Sequence, residues 1–172
     1  SADIIRMLNS AFDALTGNTV DLYPTALHSA INAWNERIYP AVNNGVYRAG
    51  FATTQEAYEE AYRALFNELD HLDAQLADQR FLTGERLTEA DIRLFTTLIR
   101  FDAVYHGHFK CNRHYRNLPG YIRDIYQQPG VAETVDFHHI KTHYYASHRN
   151  INPTGIVPAG PEIDYHAAHG RG

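Results

Sequence analysis

The chain has 172 residues, 44% of them apolar and 20% charged, enough for one globular domain with a buried core and too apolar for a disordered chain. Its net charge of −5 argues against a general nucleic-acid binder. No apolar run is long enough to span a bilayer as a helix, and the single cysteine, Cys111, excludes an intrachain disulfide and suits a reducing, cytoplasmic setting. The first residue is Ser1 and the only methionine is Met7, so the sequence reads as a fragment or processed remainder of a longer protein.

Taken in order, Ser1 and Asp3 open a short helix that carries Ile4, Ile5, Met7, Leu8 and Phe12. A turn at Thr16-Gly-Asn-Thr and an extended stretch to Pro24 follow. A second helix is expected from Thr25 to about Tyr39, with Leu27, Ile31, Trp34 and Ile38 on one face and Pro40 breaking or kinking it. Asn43-Asn-Gly45 reads as a loop or helix end. Thr53-Thr-Gln-Glu56 reads as a capping box for a long helix from about Thr54 to Asp78, with Tyr58, Tyr62, Leu65, Leu69, Leu72 and Leu76 in its apolar stripe.

The stretch from Thr83 to Tyr105 is the expected centre. Thr88 and Asp91 have the spacing of a capping box, and Leu87 and Ile92 that of a hydrophobic staple. Ile92, Leu94, Phe95, Leu98, Ile99, Phe101 and Val104 cover most of the circumference, so one buried helix from Thr88 to about Tyr105 is expected. Asp91 is then a structural carboxylate satisfied by backbone amides. Further helices are expected over Leu118–Tyr126, Val131–Val135 and His138–Tyr145, and a Pro- and Gly-rich tail from Asn150 should wrap the surface. No stretch alternates like a strand. The fold class is all-α.

Several stretches together are similar to one family. The box before a buried helix, after a long helix ending in Arg80-Phe-Leu-Thr-Gly84, resembles the helical C-terminal domain of glutathione transferases. Ser1-Ala-Asp-Ile-Ile-Arg-Met-Leu-Asn, Asn43-Asn-Gly-Val-Tyr-Arg-Ala-Gly-Phe-Ala, Gly107-His-Phe-Lys-Cys-Asn, His139-Ile-Lys-Thr-His-Tyr-Tyr and Ile151-Asn-Pro-Thr-Gly-Ile-Val-Pro resemble the glutathionyl-hydroquinone reductases, the xi class. The resemblance implies a glutathione transferase C-terminal-like helical bundle in a two-domain enzyme. A thioredoxin-like domain would hold glutathione and a nucleophilic cysteine, whose thiolate attacks the thioether sulfur of a glutathionylated hydroquinone. The organisation implied is a last thioredoxin-domain helix at 1–12, a linker at 13–24, a helical substrate and dimerisation domain at 25–149 and an irregular tail at 150–172. The partners implied are glutathione as co-substrate, the glutathionyl-hydroquinone, the missing thioredoxin-like domain and a second copy bound through the helical domain. No metal, nucleic acid or membrane is among them. A non-catalytic helical assembly module of the same fold is the alternative.

By the same resemblance Ser1 belongs to the glutathione site, and Tyr47, Tyr105, Tyr144 and Tyr145 to the substrate pocket. From periodicity alone these tyrosines read as core residues with satisfied hydroxyls. A phenol, however, offers an aromatic face to a quinol ring and a hydroxyl to its oxygens. Tyr144 and Tyr145 point to different sides of a helix, and the sequence does not choose between them. No catalytic residue is expected within the chain: Cys111 reads as a structural thiol, although Lys110, His108 and His114 stand near it. His139 and His143 have helical metal-pair spacing but no evident further ligands. Arg48, Arg93 and Arg100 are candidates to face an anion, with an internal salt bridge the better expectation for Arg100.

Overall fold

A computed structural model describes all 172 residues. Nine α-helices, joined in places by short 3-10 and π turns, make up the regular structure: α1 Ala2–Leu8, α2 Asp13–Thr16, α3 His28–Ile38, α4 Gly45–Gly50, α5 Gln55–Asp78, α6 Glu89–Leu98, α7 His106–His108, α8 Leu118–Tyr126 and α9 Phe137–Ser147. There are no strands beyond a single bridge between Phe81 and Gly84. The class is all-α, as the sequence indicates. α5 is the long spine, burying Leu65, Phe66, Leu69, Leu72 and Leu76 and packing against α4, the Tyr39–Asn43 turn and α8.

Local chemistry sets the helix ends. Thr54 caps α5 by accepting from the Ala57 amide at 3.2 Å, so the cap sits one residue later than the Thr53 box implies. Asp73 on α5 accepts the Asn117 and Leu118 amides at 2.8 and 2.9 Å, which fixes where α8 begins. Asp136 caps α9 through the His139 amide at 2.9 Å.

Asp91 is fully buried and accepts four hydrogen bonds from three segments. Its Oδ1 takes the Leu82 amide and the Tyr121 hydroxyl, both at 2.8 Å. Its Oδ2 takes the Thr88 amide and hydroxyl, both at 2.9 Å, within a capping box. Burial raises the carboxyl above its ordinary pKa while the four donors pull against that rise. The Asp91 role expected from sequence is therefore present and larger, because Tyr121 of α8 joins the cap.

The expected single helix from Thr88 to Tyr105 is not regular. α6 stops at Leu98, and Arg100 donates to the Thr97 carbonyl three residues back. The next turn, Phe101–Tyr105, is π-helical, with the Tyr105 amide donating to Arg100 at 3.3 Å, five residues back. A second π turn, Tyr39–Asn43, follows α3: Pro40 has no amide to offer the helix, and the widened turn absorbs it, with the Asn44 amide donating to Tyr39 at 2.9 Å. The chain bends there instead of breaking. Nor is α6 buried all round: Ile92, Arg93, Thr96 and Arg100 line an open face.

Both ends of the chain are tied to this body. Arg6 of α1 lies over the Tyr23 ring at 4.0 Å and donates to Glu89 at 2.8 and 3.2 Å, and Glu89 is itself buried and accepts from Asn35 at 3.0 Å. In the tail, Tyr165 is buried against Tyr126 and Phe137. Arg171 donates to the carbonyls of Leu76, Gln79 and Arg80, satisfying the end of α5.

Replacing Asp91 by Ala strands three buried donors in addition to losing the cap, and should cost about 3–5 kcal/mol, a fall of roughly 10 °C in Tm. Asp91→Asn, which keeps one accepting oxygen, should cost about half as much. Equal small effects for both, measured by denaturant unfolding, would show that the carboxylate does not join α6 to α8.

Candidate functional site

An open cleft of about 680 Å³ lies between α1, the Tyr39–Tyr47 segment, α6 and α9. Ser1, Tyr47, Tyr105 and Tyr144 line it, four of the five site residues expected from sequence. Tyr145 does not. Its ring packs on His108 at 4.6 Å, so of the two adjacent tyrosines Tyr144 is the one that lines the cleft.

Tyr144 is the hub of a phenol chain. Its hydroxyl lies 2.5 Å from the Tyr47 hydroxyl and 2.8 Å from that of Tyr105. Exposure falls from 39% at Tyr47 to 4% at Tyr144 and 2% at Tyr105, so the chain runs from the cleft inward. Three hydroxyls carry three hydrogens and make two mutual bonds, which leaves one O–H free to donate to a ligand. Burial pushes the Tyr144 phenol up to about 12, opposed by the hydrogen bond from Tyr105, and drives Tyr105 higher still. Both therefore keep their protons at neutral pH and act as donors, not as phenolates.

Each tyrosine is aimed by its backbone. Tyr47 follows the π turn at Pro40, and Tyr105 closes the second π turn. Behind them Phe109 stacks on Tyr105 at 5.3 Å and meets Tyr47 and Tyr144 edge-on at 5.6 and 5.9 Å. Gly50 is what lets α4 reach Phe109: a Cβ there would stand 2.2 Å from the ring.

The polar lining has one sign. Arg93 and Arg100 face the cleft and no carboxylate lines it, in a chain of net charge −5. Arg93 is held by Glu89 at 3.3 Å. Arg100 has no acidic partner; its guanidinium rests on the Thr96 carbonyl, so the internal salt bridge expected for it does not form. Arg48 lies elsewhere, paired with Glu60 at 2.9 Å. Asn43 was not singled out from sequence because Asn43-Asn-Gly reads as a loop. It lines the cleft and donates to Thr97 at 2.6 Å and to the Arg93 carbonyl at 3.0 Å.

Cys111 is 1% exposed, its thiol directed at the Phe109 carbonyl 3.5 Å away, and burial pushes its pKa up to about 12. A thiol so placed keeps its proton at neutral pH. His139 and His143 are exposed, and no three His, Cys, Asp or Glu side chains converge on a metal-sized site.

Residues 55–124 match the family model of the glutathione S-transferase C-terminal domain. The chain is 58% identical to the glutathionyl-hydroquinone reductase YqjG of Escherichia coli over 99% of its length, and 54% identical to PcpF of Sphingobium chlorophenolicum over 94%. The glutathione-bound YqjG structure superposes with a TM-score of 0.95 at 57% identity, covering 99% of this chain and 56% of that one. The Xi-class transferase of Natrialba magadii gives 0.95 at 52% identity, covering 99% and 53%. The chain belongs with the helical domains of the xi-class glutathione transferases. It spans about half the length of the curated relatives it matches, 53% of both YqjG and PcpF.

In this xi-class domain the Phe109 ring is the backing wall of the phenol chain. Gly50→Ala gains helix propensity of less than about 1 kcal/mol, against overpacking of about 1–3 kcal/mol. The variant should be net destabilised and should shift the Tyr47 and Tyr105 ring signals in NMR spectra. A more stable variant with unmoved signals would show that Phe109 yields freely.

Proposed function

We propose that this xi-class domain supplies the substrate pocket of a glutathione-dependent reductase that removes glutathione from glutathionyl-hydroquinones. The observation that carries the reading is the hydrogen-bonded Tyr47–Tyr144–Tyr105 chain on the wall of a cationic cleft that also holds Ser1. A quinol ring against these phenols would receive the free O–H on a ring oxygen, stabilising charge that develops there as the carbon–sulfur bond breaks. Ser1 and Arg93 suit the polar and anionic groups of glutathione.

The reaction needs a thiolate to attack the thioether sulfur. A sulfur–sulfur bond forms, the carbon–sulfur pair passes to the quinol ring, and a proton completes the hydroquinone. A second glutathione thiolate then resolves the mixed disulfide and gives glutathione disulfide. Cys111 is too buried and too basic for the attack, so the nucleophile in this reading belongs to a thioredoxin-like domain outside residues 1–172. Residues 1–12 are then its last helix, 13–24 the linker, 25–149 the substrate and dimerisation domain and 150–172 the tail. Ile4, Met7, Leu8, Phe12 and Leu15 form an exposed apolar strip over α1 and α2 that supports a partner domain packed there.

Calorimetry with the glutathione thioether of hydroquinone should detect binding to this chain at pH 7.5, weakened about tenfold in Tyr47→Phe and Tyr144→Phe, the effect of one hydrogen bond. With glutathione added, the chain should give no turnover. Binding that ignores both substitutions, or turnover lost in Cys111→Ser, would overturn the assignment.

Dimerisation through the helical domain is part of the same reading. Sedimentation over a dilution series should show a discrete dimer. A monomer at every concentration would count against a dimer built by this domain alone, and polydisperse species would point to the apolar strip instead.

A further inference from the structure

Behind the phenol chain, on the opposite side of Phe109, two histidines face each other. Nε2 of His108 lies 3.3 Å from Nδ1 of His148. His108 belongs to α7 and is buried at 6% exposure; His148 ends α9. The two rings are nearly parallel, 19° apart, and sit among Phe51, Phe109 and Tyr145. Their contact joins the end of α9 to the segment that carries Tyr105. The His148 amide in turn points at the Tyr144 carbonyl one turn back, at 3.4 Å.

We propose that His108 and His148 form an acid-released latch that holds Tyr144 against Tyr47 and Tyr105. The hydrogen bond needs one nitrogen to donate and the other to accept. The closed pair therefore accommodates at most one added proton: with both rings charged, two N–H groups face each other across the contact and no lone pair remains between them. The titratable groups facing the pair from α9 are His143, with its ring 5.8 Å from that of His148, and the phenols Tyr144 and Tyr145. From the end of α4 and from the segment after α7 only the Phe51 and Phe109 rings face it. Neither ring has a carboxylate partner to offset a second charge; the histidines that do are His106, His139 and His169.

Burial lowers the pKa of both rings, and each is lowered further by a neighbouring histidine, His148 acting on His108 and His143 on His148. The sign follows from linkage. Folded pKa values below the free histidine value of about 6.5 mean that the closed pair is intact above that pH and is lost as pH falls through it. The open-to-closed ratio then rises by about tenfold per pH unit for each proton that only the open form binds. Opening frees the end of α9 and with it Tyr144, so the ligand-facing phenol chain comes apart at its hub. That last consequence rests on the cleft's proposed role; the latch itself does not.

The test uses this chain without ligand, which separates it from the binding assay at pH 7.5. Carbon-13-labelled histidine and tyrosine are followed by NMR from pH 8 to pH 5.5. The His108 and His148 signals should titrate below the free histidine value of about 6.5, the Tyr144 ring signals should move with them, and the Tyr62 ring, packed on Phe66, should stay fixed. In His148→Phe, which keeps a ring in place without the titration, the Tyr144 response should disappear. Flat Tyr144 signals, a response that survives in His148→Phe, or Tyr62 moving in step as the whole fold unfolds would each overturn the latch.

Discussion

One buried carboxylate joins the domain together. Asp91 cannot leave its site uncompensated, and its four donors come from the loop after α5, from the start of α6 and from α8. Removing an ionised group from water costs several kcal/mol, so the site is tolerable only when all of these donors converge. That requirement fixes the register of α6, and the register of α6 decides which of its faces is dry and which opens on the cleft. Leu94, Phe95 and Leu98 are buried on one side, while Ile92, Thr96 and Arg100, four residues apart, line the other.

A second tier of polar contacts then holds the periphery. Glu89, next to the cap, draws Arg6 and Asn35 to the N-terminal end of α6 and so brings Ser1 to the rim of the cleft. Asp124 pairs with Arg80 at 2.8 and 2.9 Å, and Arg171 closes the end of α5 beside it. The cleft is walled by residues spread from Ser1 to Tyr144, and its geometry depends on the completed tertiary fold. Local helix propensity contributes little to it.

The sequence revealed the parts of the fold that local chemistry dictates. The Thr88–Asp91 spacing, the leucine stripe of α5 and the absence of alternation gave the all-α class and the central helix. Family resemblance, not periodicity, pointed to Ser1, Tyr47, Tyr105 and the Tyr144/Tyr145 pair, because a tyrosine on an apolar face has the same pattern whether it packs or binds. Three things were not legible. Hydrogen bonds of three and five residues leave no mark in a pattern of apolar residues, so the winding change between Leu98 and Tyr105 was invisible. Asn43 looked like a loop residue because its partners, Thr97 and Arg93, are more than forty positions away in the chain. Arg100 looked like an ion-pair partner because nothing in a sequence shows that the carboxylates face elsewhere.

The two π turns also separate what is good for the helix from what is good for the cleft. A π turn holds one residue more than regular winding requires, and each residue of an α-helix advances the side chains by about 100°. Deleting a single residue between Ile99 and Asp102 would let the backbone return to an ordinary four-residue ladder. Winding the same stretch as a regular α-helix with no residue deleted would instead turn the Tyr105 hydroxyl about a quarter-turn away from Tyr144. The surplus residue is a spacer, and the position of the innermost phenol is counted out along the backbone before any side chain packs.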